Sequence, residues 1–164
     1  MNVNPNIVKA GAIIKHFEGF YENAYPDTGN VWTVGLGSTY NFDKGRKVMK
    51  GDKTDYPTAL RYLEIETRQK VIELNRYIKQ PLNPDQSAAL LSYTYNRGIG
   101  NLLKTKIDDY INVDPFDPKI LTEIKGTGLW DRLGHKLWGL GRRRRAEAHL
   151  YATGELKFEW PRWG

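Results

Sequence analysis

Residues 18–33 read EGFYENAYPDTGNVWT, and their reading decides the fold. The stretch carries two acids, Glu18 and Asp27, a hydroxyl at Thr33, and between them a segment rich in Tyr, Asn and Gly. Pro26 and Asp27 stand early and Gly29 late, the order a reverse turn requires, and the flanking aromatics alternate with polar residues as strands do. A small antiparallel hairpin is therefore expected here. Glu18 closes a helical pattern instead, so the three side chains meet only if a helix end abuts that hairpin. Taken alone, Glu18 reads first as a solvated carboxylate at a helix end, and Asp27 reads equally as a turn residue bonding its own backbone.

Working outward, Asn4-Pro5 predicts a helix start, with Asn as cap and Pro at the first helical position. An apolar stripe of Ile7, Val8, Gly11, Ile14 and Phe17 then runs to Glu18. On the other side, Gly35-Leu36-Gly37 lacks the third glycine of a dinucleotide fingerprint and the Lys-Ser/Thr of a phosphate loop; small residues there suit close approach of a ligand to the backbone. Residues 43–53 read as a basic, polar connection. Thr54, Asp55 and Pro57 open one long helix to about residue 79, with Ala59, Leu60, Leu63, Ile65, Thr67, Val71, Leu74 and Ile78 on its apolar side. Asn83-Pro84 caps the next helix, which Gly98 ends. Further helical pieces are expected at 102–111 and 120–124, then a glycine-broken region around Trp130 and Trp138, both read as core. A terminal helix is expected from Arg142. Four consecutive arginines cannot share one helix face, so one or two of Arg142 to Arg145 should point inward to an acid. The tail, with Phe158, Trp160 and Trp163, is expected to pack back onto the helices.

Composition limits what such a chain does. At 164 residues it supports one domain with a sizeable core. Without cysteine there is no disulfide, thiolate metal site or thiol nucleophile. The first residues form neither a signal-peptide core nor a membrane span, so a soluble product in the cytoplasm is expected. A net charge of +6 and a pI near 9.4 favour an anionic partner. Nucleic acid, lipid headgroups and acidic wall polymers all qualify, although no nucleic-acid fold signature accompanies the arginine run.

Three separated segments carry a resemblance. Glu18, Asp27 and Thr33 have the spacing E-x8-D-x5-T within YPDTGNVWTVGLG, and this resembles the phage-type lysozymes of glycoside hydrolase family 24. Residues 92–98 look like that family's S-x-x-x-N-x-G helix end, and residues 139–147 like its G-L-x-x-R-R-x-x-E segment. The resemblance implies an α+β, two-lobed lysozyme-like fold in a single domain over residues 1–164. A sheet lobe would cover about 18–55 and a helical lobe about 80–164, joined by the long helix, with the helical lobe closing the other side of a cleft.

The resemblance further implies an N-acetylmuramidase that hydrolyses the β-1,4 bond between N-acetylmuramic acid and N-acetylglucosamine in peptidoglycan. Glu18, Asp27 and Thr33 would be its catalytic residues, with no cofactor and no metal. Glu18, under an apolar stripe, should hold its proton as the acid. Asp27, on a wetter turn, should stay ionised, and Thr33 should hold a water. The family favours inversion, hence carboxyl groups in the wider range of about 6.5–9.5 Å. It implies a monomeric endolysin that binds no nucleic acid and does not insert in membranes. It would wait in the host cytoplasm for a holin and then act on the wall. Its rivals are a lytic transglycosylase on the same bond and a non-catalytic basic wall-binding protein. One departure stands out: Gly37 is followed by Ser38, where the family usually has His. If that His pairs with an acid on the helical lobe, the link is weakened or replaced here, which bears on local stability and pH optimum and not on the reaction.

Overall fold

The computed structural model describes residues 1–27, 29–130, 134–135 and 137–160. Thr28 and Trp163, which figured in the expected turn and tail, lie outside the described residues. The chain divides into two compact units, Ile14–Gln69 on the one hand and Met1–Ile13 with Lys70–Gly164 on the other. Two helices, α1 (Ile7–Glu18) and α2 (Tyr56–Tyr77), run through the points of division.

The first unit holds the strands. β1 (Tyr21–Pro26) pairs antiparallel with β2 (Trp32–Gly35), as the turn residues predict, with a bulge between Tyr21 and Tyr25. A second small hairpin pairs β3 (Tyr40–Asn41), at the end of the aromatic run, with β4 (Arg46–Lys47), in the stretch expected to be only a connection. Strands of two residues leave no alternation to read, which is why the pattern missed it. The Tyr62 ring on α2 stacks on Phe42 with centroids 5.1 Å apart. Its hydroxyl lies 3.0 Å from both Asn41 Oδ1 and Asp43 Oδ2, able to donate to one at a time. Asp52, only 3% exposed, gathers the following loop. It accepts from Lys44 Nζ, Arg46 Nη1 and Nη2, and the Met49 amide at 2.7–3.0 Å. These donors, Arg46 foremost, hold its carboxyl far below the usual carboxylate range.

The helix starts are partly as expected. Asp55 Oδ1 accepts from the Thr58 amide at 2.8 Å and caps α2. The α1 start is displaced: the cap is Asn6, whose Oδ1 accepts from the Lys9 amide at 3.2 Å, and neither Asn4 nor Pro5 belongs to the first turn. The stripe moves with it. Ile7 and Val8 are 51% and 82% exposed, while Ala10, Ile13 and Ile14 are buried. Both sets keep helical spacing, and the packing selects the set that shares a face with Phe17.

The second unit is helical and is centred on α3 (Pro84–Arg97), buried from Gln86 to Thr94. Its start is a full capping box: Asn83 Oδ1 accepts from the amides of Asp85 and Gln86, and Gln86 Oε1 accepts from the Asn83 amide. Such caps contribute on the order of 1 kcal/mol. α4 (Ile99–Leu102) and α5 (Ile107–Val113) stand where a single helix over 102–111 was expected, followed by α6 (Pro118–Gly126) and α7 (Trp138–Thr153). α7 packs on α3 and α6. It begins four residues before Arg142, taking Gly139 and Gly141 inside the helix, so these glycines do not break it. Trp130 and Trp138 are 59% and 48% exposed and are not core. The first residues are stitched to the same unit: Asn75 Oδ1 accepts from the amides of Asn2 and Val3, and the Asn6 and Leu82 amides donate to Pro84 and Asn2 carbonyls.

The arginine run resolves as its helical geometry requires. Arg143 and Arg144 are 2% and 0% exposed and converge on Glu147, itself fully buried, while Arg142 faces solvent. Glu147 Oε1 accepts from Ser92 Oγ at 2.7 Å and from Arg143 Nε at 3.1 Å. Arg144 Nη1 lies 2.7 Å from Glu147 Oε2 as an ion pair off hydrogen-bond alignment. Its Nη2 donates to Asn96 Oδ1, and its guanidinium sits 4.6 Å above the Tyr93 ring. Burial lowers the Arg144 pKa, and Glu147 works against that shift. The two downstream motifs, about fifty residues apart in sequence, are thus one packed network.

Candidate active site

All three residues singled out in the sequence lie in the strand-bearing unit. The β1–β2 turn is built on Asp27. Its amide donates to the Val31 carbonyl at 2.9 Å, its carbonyl accepts from the Asn30 amide, and its Oδ1 accepts from the amides of Gly29 and Val31 at 2.8 Å each. Asn30 adopts φ 60° to close the turn, a conformation that Asn tolerates better than most residues. Turn-forming and chemistry-bearing readings of Asp27 are therefore compatible: Oδ1 is committed to the backbone, while Oδ2 accepts from no described residue.

Thr33, 4% exposed, donates its hydroxyl proton to the Val31 carbonyl at 3.1 Å. That commits the hydroxyl proton and leaves the oxygen to act only as an acceptor. Directly across the hairpin from Thr33 is Tyr25, so the two side chains share a face, and Asp27, two residues on, continues it. The Tyr25 phenol is pushed above its ordinary pKa, by burial first and then by the negative charge of Glu18, Tyr21 and Asp27. One phenol thus lies within the electrostatic reach of both carboxylates.

Glu18 is the last residue of α1, half-buried, and Gly19 turns the chain away at φ 68°. Its carboxyl rests against Gly37: a Cβ there would stand 3.0 Å from both Glu18 Cδ and Oε2. Gly37 itself has φ 94°, and the neighbouring Val34↔Ser38 bridge holds this tight loop. Small residues in the Gly35-Leu36-Gly37 segment were read as room for a ligand; the near neighbour of Gly37 in the fold is the Glu18 side chain. Ser38, 3% exposed, has its hydroxyl 2.7 Å from Glu66 Oε1 on α2 and 2.8 Å from the Tyr40 carbonyl. The acid that the Ser38 hydroxyl meets belongs to the strand-bearing unit itself, and not to the helical residues 80–164 where a partner was expected. Among the described residues no His/Cys/Asp/Glu group is arranged to hold a metal ion.

The sequence model of the phage lysozyme family matches residues 15–147, which takes in the whole of this constellation together with the Ser92–Glu147 network. The chain belongs to the phage lysozyme family. This family member is 30% identical over 156 residues to an endolysin of Bacillus phage B103, an alignment covering 93% of this chain and 56% of that protein. It is 28% identical over 150 residues to an endolysin of Acyrthosiphon pisum secondary endosymbiont phage 1, covering 88% and 96% respectively. The chain thus spans little more than half of the first relative and nearly all of the second. Among solved structures, the endolysin from Escherichia coli O157:H7 phage FAHEc1 is similar with a TM-score of 0.79 and 28% identity, over 91% of this chain and 94% of that one. A P22 lysozyme mutant shares the fold, with a TM-score of 0.72 at 23% identity. The α+β lysozyme-like fold expected from the sequence is the fold of this phage lysozyme.

Tyr25 and Gly37 were not singled out for the site. Tyr25 was one of several aromatics in an alternating run, and only the strand register sets it opposite Thr33. Gly37 was noted for its size, but its neighbour Glu18 is nineteen residues away and comes to it through the fold.

Proposed function

We propose that the protein is a peptidoglycan hydrolase, an N-acetylmuramidase that cleaves the β-1,4 bond between N-acetylmuramic acid and N-acetylglucosamine during phage-mediated lysis. The observation that supports this reading is the different setting of two carboxylates in the strand-bearing unit, both of which act electrostatically on the Tyr25 phenol: Glu18 against the Gly37 backbone, and Asp27 with one oxygen tied into its turn and the other unclaimed by described residues. In this reading Glu18 gives its proton to the glycosidic oxygen as the C1–O bond breaks, and positive charge develops on the sugar ring. A water donates one hydrogen bond to Asp27 Oδ2 and one to Thr33 Oγ, leaving its lone pair for C1. Asp27 takes the proton that the water sheds. The hydroxyl of Thr33 serves because its own proton is already engaged by Val31. Water arriving on the face opposite the leaving group inverts the anomeric centre.

Glu18→Gln tests the assignment. It should fold like the parent and lose turbidity clearing of purified cell walls by at least about a hundredfold, as expected for loss of a general acid. A folded Gln variant that clears walls at near the parental rate refutes it. Mass spectrometry of the released muropeptides separates hydrolysis from transglycosylation, since anhydro-muramyl ends mark the latter. Proton NMR of the first-formed anomer reads the stereochemistry.

Among the described residues no helix is long and apolar enough to cross a membrane. The biological reading we propose with the activity is a monomer that waits in the host cytoplasm and reaches the wall after a holin opens the membrane.

A further inference from the structure

The helical unit carries a groove of about 640 Å³ that none of the candidate-site residues lines. Its cations come from three places: Lys125 at the C-terminal end of α6, Arg145 on α7, and Lys157 on the segment that follows α7. His149 of α7 and Trp160 complete the wall, and the methyl groups of Ala148 and Ala152 form part of the floor. No carboxylate lines it among the described residues; Glu155 is near, 3.9 Å from His149. Trp160 is held in place: its indole N–H donates to the Lys157 carbonyl at 3.3 Å, its ring meets His149 edge-on at 5.5 Å, and Lys157 Nζ lies 4.6 Å from its centroid.

We propose that this groove binds a phosphodiester-linked polymer of sugars or polyols, the anionic class of chain carried on bacterial walls. The proposal rests on the wall-directed reading only for where such a chain would be met. Three cations on separate elements suit several phosphates along a strand and not a single small anion, whose charge one or two of them would satisfy. A fixed aromatic and a methyl-lined floor suit the carbon faces of sugar or polyol units between those phosphates. Single-stranded nucleic acid is the competing polyanion, but its recognition uses successive aromatic platforms, and among the described residues this groove has one such indole.

The test uses the full-length chain carrying Glu18→Gln, so that wall material stays intact, and labelled poly(glycerol phosphate) followed by fluorescence anisotropy over a range of salt. Binding should be saturable and salt-sensitive. Lys125→Gln with Lys157→Gln should weaken it by about tenfold or more and flatten the salt dependence, since fewer counterions are displaced. Trp160→Leu should weaken binding to a similar extent, about tenfold, with a smaller change in salt slope. Each variant should keep the parental melting temperature. In the Glu18 parent, the double lysine variant should digest polymer-free peptidoglycan at the parental rate.

Absence of binding to the polymer, or equal affinity in the lysine variant, overturns the proposal. So does tighter binding of a single-stranded DNA oligonucleotide through the same lysines. The arms separate the two readings. Digestion of polymer-free peptidoglycan without polymer binding removes the groove and leaves the hydrolase, while polymer binding by a chain inert on peptidoglycan does the reverse.

Discussion

Gly37→Ala gives the sharpest test of how the acid is held. Two costs follow from the structure and are separable. The first is conformational: at φ 94° an L side chain is strained, by about 1–2 kcal/mol on the usual left-handed scale. In a chain of this size that lowers the melting temperature by about 2–8 °C. The second is steric. The new methyl would stand 3.0 Å from Glu18 Cδ and Oε2 and 3.3 Å from Cγ, so the carboxyl must retreat by a few tenths of an ångström. With roughly a hundredfold lost per ångström of misplacement, such a retreat costs activity severalfold to about tenfold. Gly45→Ala separates the two, since Gly45 also has positive φ, 62°, but nothing lies within 4 Å of its added methyl. Melting by circular dichroism and clearing of purified walls should show both variants destabilised and only Gly37→Ala slowed, once rates are taken well below the melting range. Equal loss of clearing in the two variants would refute the idea that Gly37 sets the position of Glu18.

Two further outcomes follow. Tyr25→Phe removes a hydroxyl that bonds no described residue and whose pKa is raised by burial and then by the charge of Glu18, Tyr21 and Asp27, so stability should change by less than about 0.5 kcal/mol; wall clearing should fall by about 2–10-fold, the worth of one neutral hydrogen bond, and an unchanged rate would exclude the phenol from the site. Asp52→Asn removes a carboxyl whose folded pKa is depressed, chiefly by Arg46. Its stabilisation is present in full above the unfolded carboxylate pKa of about 4 and is lost only as pH falls toward the folded value. Melting curves of parent and variant should therefore differ by a constant amount from pH 8 to 5 and converge below about pH 4; a gap that persists unchanged into strong acid would contradict the linkage.

The sequence was most legible where a cap and a period agree. Asp55 and Asn83 both cap the helices they were expected to open, and Asp27, Gly29 and Asn30 take part in the hairpin turn. Legibility failed where two registers were equally periodic. Asn4 and Asn6 both offer a cap, and only the packing that buries Ala10 and Ile13 chooses between them. It failed again at Trp130 and Trp138, because ring size argues for burial while neighbouring glycines give no face to bury against. At the candidate site, the residues we propose as acid, base and water ligand stood in plain view within one short stretch. Their supports did not: Tyr25 depends on strand register, Gly37 on a loop folding back to a helix end, and the Ser38–Glu66 link on a helix that begins eighteen residues after that serine.

The stitching of Asn2, Val3 and Asn6 to Asn75, Leu82 and Pro84 has a consequence for the order of assembly on the ribosome. The helical unit is interrupted by the strand-bearing one, so its opening residues must wait, unpaired, until more than seventy others have been made. The Ile14–Gln69 segment has no such wait, since its pairings close within itself. Long-range closure slows folding through the entropy of the loop it must gather. Nascent chains should therefore acquire the hairpin early and the helical core only in the final stretch of synthesis, when Arg143, Arg144 and Glu147 reach Ser92 and Asn96.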